Sequence, residues 1–225
     1  MSRERTGKLE SNVGILRTEW KGADNRIEVV CFGTAFAISL HIIITCAHSI
    51  YLQRQARPCS SFTFVPGIVN GKVTSTSMIY KCTTVDFLQF EPLQEDQNYM
   101  RQPIEQDIAL LFLERSLSLS EYPRVGIDDQ ALIDEDNDVS IAGYPSQQFL
   151  KCANIFDAVF ERVTLEGKIL EIDGSIIYHN LNTSLGHSGS PILAYNIHQD
   201  PVIIGIHTHK GSNRNSGVFL TPKIL

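Results

Sequence analysis

The chain lacks the long apolar runs and the basic clusters that mark two large classes of protein. No stretch reaches the roughly 18 apolar residues that a membrane-spanning helix needs. Residues 1–20 carry charges throughout, without the apolar core typical of a signal peptide. The net charge is −6 and no block of lysine and arginine occurs, so nothing supports nucleic-acid binding. We therefore expect no membrane span and no nucleic-acid partner.

Cysteine is scarce and odd in number, which argues against both a disulfide framework and a structural zinc site. No Cys-x-x-Cys pair occurs. We predict free, buried thiols, no resident metal, no cofactor and a cytoplasmic protein, with a secreted effector as the alternative. His207 and His209 share one strand face and form a weak two-ligand alternative. The five cysteines are Cys31, Cys46, Cys59, Cys82 and Cys152.

The chain does contain many short runs of isoleucine, valine and leucine separated by turn residues. Hydrophobic residues make up 43% of the 225 residues, which is enough for a sizeable core. Such short runs favour strands over helices, and turn residues at 67–71 and 173–174 predict hairpins. We expect an all-β protein. The clearest runs are Ile108–Leu113, Val139–Ala142, Ile169–Ile172 and Val202–Ile206.

A serine between glycines is the first candidate for chemistry, in the segment Gly186–Pro191. Glycine lets the backbone turn tightly and lets a substrate carbonyl approach. The backbone N–H groups of Gly186 and Ser188 could then point at one spot and stabilise an oxyanion. Taken alone, such a segment is more often a plain loop.

Two other segments strengthen the catalytic interpretation of the serine. His48 follows the apolar run Ile42–Ile44, so we expect it where a strand ends and a loop begins. Asp107 opens another apolar run, so its carboxylate begins at the edge of the core. Either residue by itself is usually structural. Their occurrence together with Ser188, in the order His, Asp, Ser, predicts a catalytic triad.

The chemistry requires these three residue types. A serine hydroxyl is a weak nucleophile at neutral pH, and a neutral imidazole can take its proton and later give it to the leaving group. A buried carboxylate holds the imidazole in the correct tautomer and stabilises the imidazolium that forms. We assign Ser188 as nucleophile, His48 as general base and acid, and Asp107 as the orienting group.

The order and the flanking residues of this triad resemble those of trypsin/chymotrypsin-like serine peptidases. Within that class the chain is most similar to the V8-like glutamyl endopeptidases over residues 13–221. The similarity lies in Gly143-Tyr144-Pro145, in the segment 173–183, in the Gly-x-Ser-Gly-Ser-Pro form of the serine loop, and in Gly205-Ile206-His207. The resemblance implies two six-stranded antiparallel β-barrels, with the active site in the crevice between them.

The same resemblance sets the expected domain organisation. We predict a first barrel over residues 1–120 that carries His48 and Asp107. A second barrel over residues 121–225 carries Ser188. The polar, acidic stretch between Leu117 and Asp138 fits a solvated connector.

The resemblance also implies a specificity pocket. In that family a threonine five residues before the nucleophile and the histidine of the Gly-Ile-His strand bind a P1 glutamate, and these positions are Thr183 and His207 here. His209 and Lys210 depart from the family pattern and either contact acidic substrate residues or are exposed loop residues. His187 replaces the usual asparagine, and we expect that change to be neutral. The basic groups nearest the pocket are Lys210, Arg214, His207 and His209.

Three functions stay open at this level. The leading hypothesis is a serine endopeptidase that acts on a protein or peptide substrate, with a preference for Glu or Asp at P1. The alternatives are a proteolytically silent module that binds a partner, and an esterase that uses the same triad. A regulatory partner or further domains of a longer protein stay open as well.

Overall fold

The computed structural model describes residues 11–52, 57–68, 71–87, 106–119, 121–126, 132–145 and 155–221. These residues form fifteen β-strands, and helix is confined there to short 3-10 turns such as Ala47–Ser49 and Thr76–Met78. The strands are β1 (Val13–Lys21), β2 (Ile27–Ala37), β3 (Ile42–Thr45), β4 (Tyr51–Leu52), β5 (Arg57–Pro58), β6 (Ser61–Pro66), β7 (Tyr80–Phe87), β8 (Ala109–Leu113), β9 (Arg124–Val125), β10 (Asp138–Gly143), β11 (Val163–Asp173), β12 (Ile176–His179), β13 (Pro191–Tyr195), β14 (Pro201–His209) and β15 (Asn215–Phe219).

The first barrel closes in the order β1-β2-β3-β8-β7-β6, since β6 pairs with β1. Every neighbouring pair in this ring is antiparallel. Strand β8 alternates between fully and partly buried residues, as expected where one face of a strand looks into the barrel. Closure leaves no unpaired edge between the first and last strands.

The second barrel closes in the order β13-β10-β11-β12-β15-β14, since β13 also pairs with β14. The short strand β9 joins this ring from outside, parallel to β14. Strands β13, β14 and β15 are buried along most of their length, which explains the continuous apolar run Val202–Ile206 in β14.

Three apolar clusters make up the described core. One fills the first barrel around Leu16, Trp20 and Phe64, and one fills the second around Ile141, Ile177 and Ile204. The third contains residues from both barrels and seals the junction between them. It includes Phe36 and Ile44 from the first barrel and Tyr144, Phe160 and Ile206 from the second.

Thr34, on β2, makes the polar connections across this junction. Its backbone N–H donates to the carbonyl of Ser188 at 3.0 Å. Its hydroxyl donates to the carbonyl of Gly186 at 2.8 Å and accepts from the backbone N–H of Tyr144 at 3.0 Å. Thr34 is fully buried, so these bonds replace water that cannot reach the groups. One residue of the first barrel therefore holds the serine loop of the second.

The expected fold class is confirmed: the protein is all-β, with two closed six-stranded antiparallel barrels. The hairpin at 173–174 is also confirmed, because β11 and β12 pair directly across Gly174, whose φ is 58°. The hairpin at 67–71 is wrong. The strand that pairs with β6 begins only at Tyr80, since the intervening chain pairs Gly71 with Phe160 of the second barrel.

The cysteine prediction is confirmed in part. Four cysteines are free, and Cys46 and Cys59 are buried while Cys82 is half-buried. Cys31 is exposed because it lies on the outer part of β2, before that strand enters the junction. Cys152 lies outside the described residues.

Strand β8 belongs to the first barrel and β9 attaches to the second, while the bounds 1–120 and 121–225 stay a prediction. In the part of the chain that the structure describes, no helix has the length and apolarity to cross a membrane.

We expect Thr34→Val to lower the free energy of unfolding by about 2–5 kcal/mol. Valine has a similar shape but leaves the buried Gly186 carbonyl and Tyr144 N–H unpaired, and each such group costs about 1–3 kcal/mol. Urea denaturation followed by tryptophan fluorescence measures the change. Thr34→Ser is the matched control, since it keeps the hydroxyl; equal loss in both variants would show that the hydrogen bonds are not responsible.

Candidate active site

The His48 and Asp107 side chains form a close pair at the junction. Strands β3 and β8 pair in antiparallel register with Thr45 opposite Ala109, so the end of one strand lies beside the start of the other. The Nδ1 atom of His48 is 2.6 Å from Oδ2 of Asp107, and the backbone N–H of His48 donates to Oδ1 at 2.9 Å. The predicted partners are thus brought together by strand pairing.

Burial and charge act in opposite directions on this pair. Burial by itself would lower the pKa of His48, but the charge of Asp107 and the hydrogen bond to it outweigh burial and raise that pKa above its usual 6.5. Burial would raise the pKa of Asp107, but the charge of His48 and the hydrogen bonds from it keep that pKa below its usual value. Asp107 is therefore a carboxylate at neutral pH, suited to hold an imidazole or an imidazolium.

The serine loop is fixed by backbone hydrogen bonds on both sides of Ser188. The N–H of Gly189 donates to the carbonyl of His207 at 2.9 Å, and the N–H of His207 donates to the carbonyl of Ser190 at 2.8 Å. Gly189 has a φ of 88°, and a Cβ there would overlap the carbonyl of Thr34. Only glycine can follow the serine at this close approach of the two barrels.

Two backbone N–H groups of the loop have no acceptor among the described residues, those of Gly186 and Ser188. Gly186 has a φ of 96°, within a turn in which the N–H of His187 donates to the carbonyl of Ser184 at 3.2 Å. These are the two donors that sequence analysis predicted for an oxyanion.

Ser188 itself lies close to the first barrel. A Cβ added to Gly33 would be 3.4 Å both from the carbonyl oxygen of Ser188 and from Oγ of Ser49, the residue after His48. The Ser188 hydroxyl donates to the carbonyl of Thr208 at 3.3 Å. Within the described residues it makes no hydrogen bond to His48, so the structure brings together the His48–Asp107 part of the predicted triad, and the serine–histidine contact stays a prediction.

A group of buried polar side chains lies in the second barrel around the predicted specificity residues. His207 and His179 are both buried, and Nδ1 of His207 is 3.2 Å from Nε2 of His179. Burial lowers the pKa of His179 to about 4. Burial, followed by the charges of four neighbouring histidines, lowers the pKa of His207 well below its usual range. Both imidazoles are neutral at pH 7. Thr183 is also buried, and its hydroxyl has no partner in the described part of the chain.

His209 and Lys210 lie at the exposed end of β14. His209 is turned toward the His48–Asp107 pair: its Nδ1 is 3.8 Å from Oδ2 of Asp107, and its ring meets the His48 ring edge-on at 5.7 Å between centroids. Lys210 is exposed. Arg214 is committed elsewhere, because it pairs with Glu171 and stacks over the ring of Tyr178.

Sequence reasoning missed three residues at this site. No sequence motif singles out Thr34, because only the folded chain brings β2 to the serine loop. His187 was expected to be a neutral replacement, but it is buried and its Nδ1 lies 3.1 Å from both the backbone N–H and the carbonyl oxygen of Ser184. His179 left one signal, a histidine within an apolar strand, which often marks a buried polar contact.

The comparisons with known proteins agree with this geometry. Residues 33–200 match the family model described as a trypsin-like peptidase domain. A solved Glu endopeptidase in complex with MPD is similar, at 18% identity and a TM-score of 0.71, over 100% of this chain and 91% of that one. A thermostable serine protease, AL20, from an extremophilic microorganism shares 12% identity at a TM-score of 0.64, over 94% and 92% of the two chains.

A further solved structure, the active form of the Rv3671c protease from M. tuberculosis, is 16% identical with a TM-score of 0.61. The match covers 95% of this chain and 78% of that one. A search of curated proteins gave no match.

Two closed β-barrels that meet at a histidine–aspartate pair and a glycine-flanked serine define the class of chymotrypsin-fold serine proteases. The family match covers most of the chain, so this chain belongs to the trypsin-like peptidase family. The expected serine endopeptidase class is thereby confirmed at the level of family and fold.

We expect the stability of the protein to fall between pH 6.5 and pH 4, because the unfolded chain binds a proton at His179 that the folded chain excludes. With a folded pKa of about 4, this group contributes about 3 kcal/mol at pH 7 that is lost as the pH falls toward 4. His179→Gln should flatten the decline by up to that amount, measured by urea denaturation across this pH range. The exposed His198→Gln is the control, and an identical pH slope in His179→Gln would contradict the assignment.

Proposed function

We propose that the protein hydrolyses peptide bonds through an acyl-enzyme on Ser188, with His48 as general base and acid and Asp107 as the orienting carboxylate. The observation that carries this proposal is that Ser188 lies on a loop hydrogen-bonded to Thr34 of the first barrel. The same barrel contains the hydrogen-bonded His48–Asp107 pair. The substrate is a protein or peptide, as for the family to which the chain belongs.

The first step turns the serine hydroxyl toward His48. In the structure the hydroxyl donates to the carbonyl of Thr208. Hydrogen bonds between catalytic groups are often absent or long before substrate binds, and they tighten in the complex. Turning the Ser188 Oγ from the Thr208 carbonyl to Nε2 of His48 delivers its proton to the base, while the oxygen attacks the scissile carbonyl.

Two backbone donors of the serine loop can stabilise the negative charge that develops on the substrate oxygen. The N–H groups of Gly186 and Ser188 have no acceptor among the described residues, and hydrogen bonds between His187 and Ser184 hold the turn that contains Gly186. His48 then gives its proton to the leaving amine, and water repeats the sequence to release the acyl group. Asp107 stays ionised throughout and stabilises the imidazolium at each step.

A serine-reactive phosphonate tests this assignment. We expect stoichiometric labelling of the folded wild type at neutral pH, because the activated hydroxyl attacks phosphorus as it would a carbonyl. The measurement is intact-protein mass spectrometry with mapping of the modified peptide to Ser188.

Ser188→Ala and His48→Ala should both remain unlabelled while they keep the wild-type fold by circular dichroism. Absence of labelling in the folded wild type would favour the silent binding module. Ester turnover without peptide cleavage would favour the esterase.

We further propose that Thr183 and His207 bind the side-chain carboxylate of a P1 glutamate. The support is the unpaired hydroxyl of Thr183, buried five residues before the nucleophile, and a buried His207 on the strand that backs the serine loop. A buried hydroxyl without a partner is unfavourable unless a ligand satisfies it.

The tautomer of His207 follows from its partner. Nδ1 of His179 is buried and has no partner among the residues that the structure describes, and a bare lone pair is tolerated there more readily than an N–H. His179 therefore carries its proton on Nε2 and donates to Nδ1 of His207. That leaves the other nitrogen of His207, Nε2, as an N–H donor, which suits a carboxylate acceptor.

The positions of His209 and Lys210 suit a role further along the substrate. His209 lies beside His48, and the exposed ammonium of Lys210 follows it directly. We infer that both groups favour acidic residues further along the substrate. Position 182, where trypsin itself places an acidic residue, holds the uncharged Asn182, so a preference for P1 lysine or arginine has no support.

Cleavage-site profiling of a denatured proteome digest tests the P1 pocket. We expect cuts that depend on Ser188 to fall after Glu, and Thr183→Val to lower kcat/KM for Glu substrates about 10- to 100-fold, as loss of a hydrogen bond to a charged group does. Thr183→Ser, which keeps the hydroxyl, is the matched control. An unchanged P1 profile in Thr183→Val would remove Thr183 from the pocket, and Ser188-dependent cuts after other residues would discard the glutamyl preference.

A further inference from the structure

The His48–Asp107 pair has two more metal-ligating side chains beside it. The Cys46 sulfur, one nitrogen of His48 and one carboxylate oxygen of Asp107 all lie within 4.8 Å of one another. On the other side, Nδ1 of His209 is 3.8 Å from Oδ2 of Asp107. Three further potential ligand atoms, one sulfur and two nitrogens, therefore lie near the Asp107 carboxylate, which supplies an oxygen as the fourth.

The backbone puts each of these groups in place. Cys46 and His48 flank the start of the 3-10 turn at the end of β3, and the Cys46 thiol donates to the carbonyl of His207 at 3.2 Å. A β-bulge interrupts the pairing of β14 with β15 between His207 and His209. A bulge changes the direction in which the following side chain points, and here His209 meets the His48–Asp107 pair.

The ligand set matches the preferences of zinc. Zinc takes cysteine sulfur at about 2.3 Å, histidine nitrogen at about 2.0–2.1 Å and carboxylate oxygen at about 2.0–2.2 Å, in tetrahedral geometry. Ligand nitrogen and oxygen atoms are then about 3.3 Å apart. The two imidazole–carboxylate distances here, 2.6 Å and 3.8 Å, bracket that value. His209 is not one of the three residues whose ligand atoms lie within 4.8 Å of one another, so its exposed imidazole would turn further toward the ion to complete the set.

The four side chains differ in exposure. Cys46 is fully buried and Asp107 almost so, while the side chain of His48 is 28% exposed and that of His209 is 58% exposed. The two imidazoles are therefore the ligands that solvent reaches most easily.

We propose that Cys46, His48, Asp107 and His209 bind a zinc ion that inhibits the enzyme. The ion would take the place of the proton that His48 Nδ1 shares with Asp107; that proton would move through solvent to Nε2 of the same ring, and the Cys46 thiol would lose its proton to solvent as it coordinates. With its remaining proton on Nε2, His48 could not accept the proton of Ser188, and Asp107, bound to the ion, would not be free to stabilise an imidazolium. The ion is a reversible inhibitor and not a resident cofactor. The inhibition rests on the proposed function, while the binding does not.

Isothermal titration of zinc chloride into the Ser188→Ala protein tests the site without any need for activity. We expect one ion per chain. Adding His209→Ala or Cys46→Ala to this background should each weaken binding at least tenfold, as expected on removal of a zinc ligand. His198→Ala removes an exposed histidine elsewhere and is the matched control, with unchanged affinity expected.

A second readout identifies the sulfur ligand. Cobalt(II), bound in place of zinc, should give a thiolate charge-transfer absorption in Ser188→Ala that is absent when Cys46 is also changed to alanine. Failure of the Ser188→Ala protein to bind one zinc ion would overturn the proposal. So would zinc affinities in the His209→Ala and Cys46→Ala variants equal to that of the Ser188→Ala protein.

The inhibition is measured on the active protein with a peptide substrate. We expect micromolar to millimolar zinc to abolish turnover and EDTA to restore it. With inhibition measured relative to each protein's own zinc-free rate, His209→Ala should raise the half-inhibitory zinc concentration at least tenfold. A protein that binds zinc but never cleaves a peptide would refute the proposed function and leave the metal site standing. An active protein unaffected by zinc would refute the site alone.

Discussion

The functional geometry of this protein depends on one buried contact, the hydrogen bonding of Thr34 to the serine loop. The Thr34 N–H donates to the carbonyl of Ser188 and its hydroxyl donates to the carbonyl of Gly186. Two carbonyl groups of the serine loop are therefore hydrogen-bonded to the opposite barrel. Gly189 makes this approach sterically possible, because any side chain there would collide with Thr34. The two barrels each have a core of their own, and this contact sets how the nucleophile of one meets the base of the other.

The second constraint is electrostatic and concerns Asp107. This nearly fully buried carboxylate faces His48, His209 and the Cys46 thiol, and it is stable as an anion because His48 supplies two hydrogen bonds to it. A buried charge so compensated can orient a general base. The same charge attracts a second imidazole, and it would attract a divalent cation. The proposed catalysis and the proposed metal inhibition would thus both depend on one buried anion.

The second barrel holds its polar groups in a different way. His179 and His207 are kept neutral by burial and hydrogen-bond each other, while the hydroxyl of Thr183 finds no partner in the described structure. Such a group lowers stability in the free protein and becomes favourable only when a ligand supplies the missing bond. The arrangement therefore favours recognition by hydrogen bonding over recognition by a fixed positive charge.

The amino-acid sequence by itself determined the strand-rich fold class, because apolar periodicity is a local property of the chain. From glycine placement and residue order it also predicted His48, Asp107 and Ser188 as a triad and the N–H groups of Gly186 and Ser188 as oxyanion donors. It also indicated that His48 and Asp107 stand at strand ends. It could not show that β3 and β8 pair with Thr45 opposite Ala109, that Thr34 reaches the serine loop, or that a bulge turns His209 toward Asp107. Only tertiary structure decided these contacts, since they join residues distant in sequence, and their energy arises when barrel closure removes water from both partners.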